Sequence, residues 1–120
     1  MSRRQPSRSS SRTLGPDAER RVRRHFALRG YRILATNAWV GGNEIDLVVR
    51  RGRRLLVCEV KAKVDDDFGS PFEMVGPEKA RRVRRAAEAW LASRPQLGDV
   101  EVELVAVAVR GRRVELAPFD

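Results

Sequence analysis

The stretch from Gly41 to Lys63, GGNEIDLVVRRGRRLLVCEVKAK, carries Asp46, Glu59 and Lys61 among the apolar residues of two strand-like segments. Two carboxylates a few ångströms apart repel, and one pKa rises unless a cation lies between them. A hard divalent ion such as Mg²⁺, or Mn²⁺ in its place, supplies that cation, because Mg²⁺ takes one or two carboxylates and keeps several waters. A nearby ammonium can orient a nucleophilic water or offset charge growing on a phosphate. These are the components of phosphodiester hydrolysis. An E-x-K triplet taken alone is more often a surface ion pair, and Asp46 at a workable spacing is what turns it into a candidate metal site.

The elements that must position these residues follow from hydrophobic periodicity. Strand side chains alternate, so Leu55, Val57, Glu59 and Lys61 share one face and Leu56, Cys58 and Val60 the other. On the preceding strand Asp46 and Val48 oppose Ile45, Leu47 and Val49, and closure of a hairpin around Gly52 can set Asp46 opposite or diagonal to Glu59. A slip of one residue would turn Asp46 to the wrong face. A helix is predicted from Asp17 to about Arg29, with Pro16 in its first turn and Gly30 as its stop. Strands are predicted at Tyr31 to Ala35, Ile45 to Val49 and Leu55 to Lys61, then a polar loop over Asp65 to Gly76 and a long amphipathic helix over Pro77 to Ser93. Two strands, Val100 to Val109 and Arg113 to Leu116, close the chain. The order αβββαββ, without internal repeat, predicts an α/β fold with a mixed sheet flanked by helices.

Charge separates a tail from a body. The net charge is +9; Arg3, Arg4, Arg8 and Arg12 contribute +4 of it, leaving +5 for Leu14 onward. Residues 1 to 13 lack the hydrophobic residues that could repay ordering entropy and read as a disordered basic arm; residues 14 to 120 read as one domain. A basic body favours polyanions, of which nucleic acid is the commonest. Arg51, Arg53, Arg54, Arg81, Arg82 and Arg85 are the candidate phosphate contacts. Cys58 is the only cysteine, which points to a reducing compartment, the cytoplasm. No apolar run has the length of a membrane span, and the opening residues lack the apolar core of a secretory signal.

The chain holds 22 Arg and three Lys, so lysine stands out where it occurs. A compact ammonium can approach a bound water or a metal edge where a planar guanidinium cannot, which marks Lys61. Lys79 falls at helical spacing with Val83, Ala86 and Trp90; it can point into the same cleft or snorkel along the packed face. Glu19 lies on the side of Val22 and Phe26, either as a site acid or as a favourable charge at a helix N-terminus. His25 reads as a packing or surface residue, Cys58 as core, Asp65-Asp66-Asp67 as a solvated turn and Gly41-Gly42 as a bend. Trp39 lies near the basic hairpin in sequence and is a weak candidate for stacking on bases.

Gly15 and Glu19, Gly30-Tyr31-Arg32-Ile33-Leu34, Asn37, Glu44-Ile45-Asp46-Leu47-Val48, Glu59-Val60-Lys61, Phe68-Gly69-Ser70-Pro71, Val75 and Lys79 together resemble the bacterial YraN-type family. That family is similar to Holliday junction resolvases and the wider PD-(D/E)xK, restriction-endonuclease-like superfamily. The resemblance implies a restriction-endonuclease-like α/β/α core. It implies Asp46, Glu59 and Lys61 as a nuclease motif, Glu19 as an additional acid and Lys79 as a contributor from the second helix. It departs at the fourth strand, where family members usually carry Arg-Phe-Asp-Val and this chain reads Glu101-Val102-Glu103-Leu104. The expectation is a Mg²⁺-dependent endonuclease-like protein acting on structured or branched DNA, with Asp46, Glu59 and Glu19 holding the metal. DNA is favoured over RNA, and two-fold symmetric junctions would suit a homodimer. The alternative is a non-catalytic nucleic-acid-binding module that keeps the scaffold.

Overall fold

The structure, a computed structural model, describes residues 15–62 and 75–119. The basic arm, Lys63, the Asp65-Asp66-Asp67 loop and Phe68-Gly69-Ser70-Pro71 lie outside the described residues.

Helix α1 runs Pro16–Leu28, with Asp17 and Glu19 in its first turn and Val22 and Phe26 buried. It stops in a Schellman arrangement: the Gly30 N–H donates to Ala27 O at 3.1 Å and the Tyr31 N–H to Phe26 O at 3.0 Å. Gly30 adopts φ 84°, the left-handed conformation this cap requires. The Tyr31 ring then packs edge-on against Phe26 at 5.5 Å, the hydrophobic contact that accompanies such a cap.

Five strands follow, β1 Arg32–Val40, β2 Asn43–Arg51, β3 Arg54–Ala62, β4 Glu101–Arg110 and β5 Arg113–Pro118, with helix α2, Pro77–Ala92, between β3 and β4. A short 3₁₀ turn at Pro95–Leu97 links α2 to β4. The spatial order is β1-β2-β3-β4-β5. All neighbours are antiparallel except β3 and β4, whose parallel pairing needs the α2 crossover. The element order is the αβββαββ expected from the sequence.

Strand β1 is longer than Tyr31 to Ala35. Val40 pairs with Asn43 across Gly41-Gly42, whose φ values of 58° and 81° make a two-residue type I′ hairpin turn where a simple bend was expected. Of the extra strand residues, Thr36, Asn37 and Trp39 are exposed and Ala38 is small, the composition of an edge strand with little periodic signal.

The two faces of the sheet build two cores. On one, Val22 and Phe26 of α1 pack over Leu47, Val49, Leu56, Cys58 and Val60. On the other, Val83, Ala86, Ala87 and Trp90 of α2 cover Ile45, Val48, Leu55, Val57 and Leu104. Strand β3 is therefore covered on both faces, which is why LLVCEV is almost continuously apolar. The result is an α/β/α sandwich with a mixed central sheet, a nuclease-like α/β core. No helix among the described residues is long and apolar enough to cross a membrane.

Candidate functional site

Asp46 and Glu59 are the two buried charged residues of the described chain, at 8 % and 7 % exposure. They lie where β2 and β3 part. The paired register runs from Arg51↔Arg54 to Leu47↔Cys58 and stops there. At the next position the Asp46 carboxylate replaces a strand carbonyl, with Oδ2 accepting the Val60 N–H at 2.8 Å. Simple alternation also fails at Asp46. Leu47 and Val49 face α1 and Val48 faces α2, but Ile45 joins Val48 on the α2 side rather than Leu47. A regular strand would have opposed Ile45 to Val48, as the sequence reading had it, and the local irregularity is what frees the Asp46 side chain to reach into the gap between strands.

The neighbouring strand is irregular at the same place. Asn37 lies between the pairs Thr36↔Leu47 and Ala38↔Ile45, opposite Asp46, and has φ 49°. It is the one non-glycine residue with positive φ among the described residues, a conformation that Asn tolerates better than most. Glu19 and Arg23 of α1, Thr36, Asn37, Asp46 and Val60 line a cleft of about 130 Å³ on the α1 side. In the sequence Asn37 stands out only as one of the residues that carry the family resemblance, with no role of its own.

Glu59 is turned to the other side, where Lys79 Nζ stands 2.6 Å from its Oε2. Lys79 thus points to the acid rather than snorkelling away. It gets there because Val83, Ala86 and Trp90, on its own helical face, anchor α2 on the sheet. Burial, and then the Asp46 carboxylate, push the Glu59 carboxyl up to about 7 against the opposing pull of Lys79, and Glu44 adds to the upward shift. Without metal, the folded chain therefore holds a proton on Glu59 in a range where the unfolded chain, near pKa 4.5, has released it. The stability this contributes is fully present below about pH 4.5 and is lost as pH rises through about 7. Urea midpoints in EDTA are expected to fall between pH 5 and pH 8, and Glu59→Gln is expected to flatten that decline. A wild-type midpoint no lower at pH 8 than at pH 5 would contradict this account of Glu59.

Lys61, two residues beyond Glu59 on the same face, is exposed. Glu19 shares the cleft with Asp46 but is half-exposed, with Arg23 Nε 3.4 Å from its Oε2. The structure thus brings Glu59 to Lys79 and Asp46 to the Val60 backbone. It leaves Glu19 at the cleft rim, and no group of three His, Cys, Asp or Glu side chains converges as a metal site among the described residues. Asp46 and Glu59 are still hard oxygen donors close enough to perturb one another, and two carboxylates suffice for a largely hydrated Mg²⁺. Carboxylates are the donors such an ion takes, although these two open to opposite faces of the sheet, Asp46 to the α1-side cleft and Glu59 to Lys79.

The candidate phosphate contacts divide. Arg81, Arg82 and Arg85 are exposed on α2, the first two in the N-terminal half that carries Lys79 and Arg85 at its middle. Arg51, Arg53 and Arg54 stand at the opposite end of the hairpin from the acids, five residues from Asp46 or Glu59, about 17 Å at the rise of a strand. They are also engaged there: Arg51 Nη1 donates to Arg29 O and its guanidinium lies over the Tyr31 ring, Arg53 reaches Asp99, and Arg54 bonds Glu103. Trp39 is 61 % exposed, but it lies on β1 near the Gly41-Gly42 turn, also away from that basic hairpin. Cys58 is buried on the α1 side, as its core reading has it, and His25 packs edge-on against Phe26 at 5.3 Å.

A mixed sheet between two helices, with two buried carboxylates at a strand split and Lys79 paired with one of them, defines an α/β domain with a nuclease-like core. Residues 18–115 match the family described as uncharacterised protein family UPF0102. The chain belongs to that family. It is 42 % identical over 83 residues to a UPF0102 protein of Acidothermus cellulolyticus, covering 69 % of this chain and 63 % of that protein. It is 40 % identical over 101 residues to one from Streptomyces griseus, covering 82 % and 85 %, and 43 % identical over 86 residues to one from Methylorubrum extorquens, covering 72 % and 66 %. The chain thus spans a little under two thirds of the first of these relatives and most of the second.

Proposed function

We propose that this protein is a metal-dependent endonuclease-like enzyme that hydrolyses phosphodiester bonds in structured or branched DNA. The observation that carries the reading is the burial of two carboxylates, Asp46 and Glu59, at the β2–β3 split, where an acid persists only if protonation, hydrogen bonds or a cation offset its charge, and a divalent ion is one such cation. Asp46 and Glu59 would hold Mg²⁺ or Mn²⁺, with Glu19 reaching the ion through water; the ion would polarise the phosphate and acidify a bound water. Lys61 would orient the attacking water and offset charge growing on the phosphate. Lys79 holds Glu59 in place, and Arg81, Arg82 and Arg85 hold the backbone without reading sequence.

The second reading, a non-catalytic nucleic-acid-binding module, is favoured by one observation: the Lys79 ammonium already sits 2.6 Å from Glu59, where a divalent ion would compete with it. Labelled duplex, single-stranded, flap and four-way-junction DNA incubated with Mg²⁺, Mn²⁺ or EDTA separates the two. Under the enzyme reading the wild type cuts only with metal, and Lys61→Ala slows cutting by about a hundredfold. Binding of all four DNAs by wild type with no metal-stimulated cutting of any would leave the binding module in possession of the site.

A further inference from the structure

Two hairpins of this chain are nearly alike in sequence, Arg50-Arg51-Gly52-Arg53-Arg54 and Arg110-Gly111-Arg112-Arg113. The sheet sends them to opposite ends. The first joins β2 to β3 at the start of β3. Because β3 and β4 are parallel, the turn after β4 lies beyond the end of β3, the end that carries Glu59 and Lys61. In register, Lys61 pairs with Ala108 and Ala108 with Glu115, so these three lie in one row across the sheet. Alternation then places Arg110 and Arg113 on the face of Lys61 and Glu115, two residues further along. Arg110 is diagonal to Lys61, about 8 Å from it at the spacings of strands and of residues along them.

These arginines are built into place. Arg110 Nε donates to Glu115 Oε1 at 2.9 Å and Arg113 Nη2 to Glu115 Oε2 at 2.7 Å, so one carboxylate holds both guanidinium groups. The Arg110 side chain is only 10 % exposed, whereas that of Arg113 is 74 % exposed. Hydrogen bonds from the two arginines, Arg113 first, hold the Glu115 carboxyl below its ordinary range, so it stays ionised as their anchor. Arg112 is exposed beside them and takes part in no ion pair among the described residues. Three cations against one acid leave this turn at +2. The ends of parallel strands are also where open α/β sheets place their ligands.

We infer that the β4–β5 hairpin, through Arg112 and Arg113 with Arg110 and Glu115 as their support, is a phosphate-binding subsite that grips the nucleic-acid backbone beside Lys61. The hairpin Arg51 to Arg54 is not part of that track. The inference rests on the nucleic-acid reading of the Asp46 and Glu59 site but not on catalysis, and binding measured without metal tests it. Anisotropy of labelled single-stranded and duplex DNA in EDTA, over a series of salt concentrations, is compared for wild type, Arg112→Ala/Arg113→Ala and Arg51→Ala/Arg53→Ala. The first variant is expected to bind about tenfold or more weakly and to lose about 1.8 from the slope of log K against log salt on duplex and about 1.4 on single strands, the release expected for two phosphate contacts. The second is expected to stay within about twofold of wild type. Wild-type-like binding by the first variant, or equal losses in both, would overturn the subsite while leaving the nuclease reading untouched. Absence of any nucleic-acid binding by wild type would overturn both. A loss confined to Arg112→Ala/Arg113→Ala in a protein that never cuts DNA would uphold the subsite and sink the enzyme.

Discussion

On the proposed nuclease reading, Asp46→Asn is expected to lower metal-dependent cleavage by at least about a hundredfold while leaving the protein nearly as stable as wild type, since even the outer partners of metal ligands are worth 10 to 100-fold. The two roles of Asp46 separate at this substitution. Its Oδ2 accepts the buried Val60 N–H at 2.8 Å, a bond that an amide oxygen can also accept. The negative charge that attracts a cation is what Asn removes. Asp46→Ala removes the acceptor as well and leaves the Val60 N–H buried without its partner, at a cost of about 1–3 kcal/mol. In a domain of this size, that is a fall in melting temperature of about 4–8 °C for each kcal/mol. Cleavage assays and thermal melts on the same preparations check both halves. An Asp46→Asn protein that cuts like wild type would remove Asp46 from the chemistry, and an Asp46→Ala protein that melts like wild type would remove it from the strand split.

The largest loss of stability is expected at Trp90, which is 1 % exposed beneath α2. Trp90→Ala is expected to cost about 3–5 kcal/mol, through lost burial and the cavity left against Ile45, Val48, Leu55 and Val57. Trp90→Phe is a sharper test. Among the described residues the buried indole Nε1 has no hydrogen-bond partner, so replacing it by carbon forfeits no bond seen there, and this variant is expected to cost only about 1 kcal/mol. The consequence reaches the site, because Trp90, Ala86 and Val83 seat the helix face that delivers Lys79 to Glu59. Urea denaturation measures both variants. A Trp90→Phe protein as unstable as Trp90→Ala would mean that the indole N–H is bonded after all and that the core is held differently.

Most of the architecture was legible because it is written in short-range patterns. The four-residue steps of Ala18, Val22 and Phe26 and the spacing of Val83, Ala86 and Trp90 define helix faces, and both faces are buried as expected. The apolar run from Leu55 to Val60 and the turn glycines define β3 and its hairpin. Strand β1 was legible only at its apolar start, since an edge strand paired on one side can be polar and small over half its length. The chemistry of the site was legible in the same way. Acids inside apolar strands are costly, and lysine stands out in an arginine-rich chain. The match of Asp46 to the strand split was not legible, because alternation predicts a face, whereas a side chain that replaces a backbone carbonyl needs the ladder to end at that residue.

By itself, then, the sequence determined which residues could do chemistry here and which segments carry them, because side-chain type and local period are properties of neighbours along the chain. The tertiary structure decided which cations stand beside the acids. Two hairpins of almost the same composition, Arg51 to Arg54 and Arg110 to Arg113, are equivalent to any local reading. Only the parallel pairing of β3 with β4, set by contacts between residues 47 positions apart, carries the second to the end of Glu59 and Lys61 and leaves the first about 17 Å away.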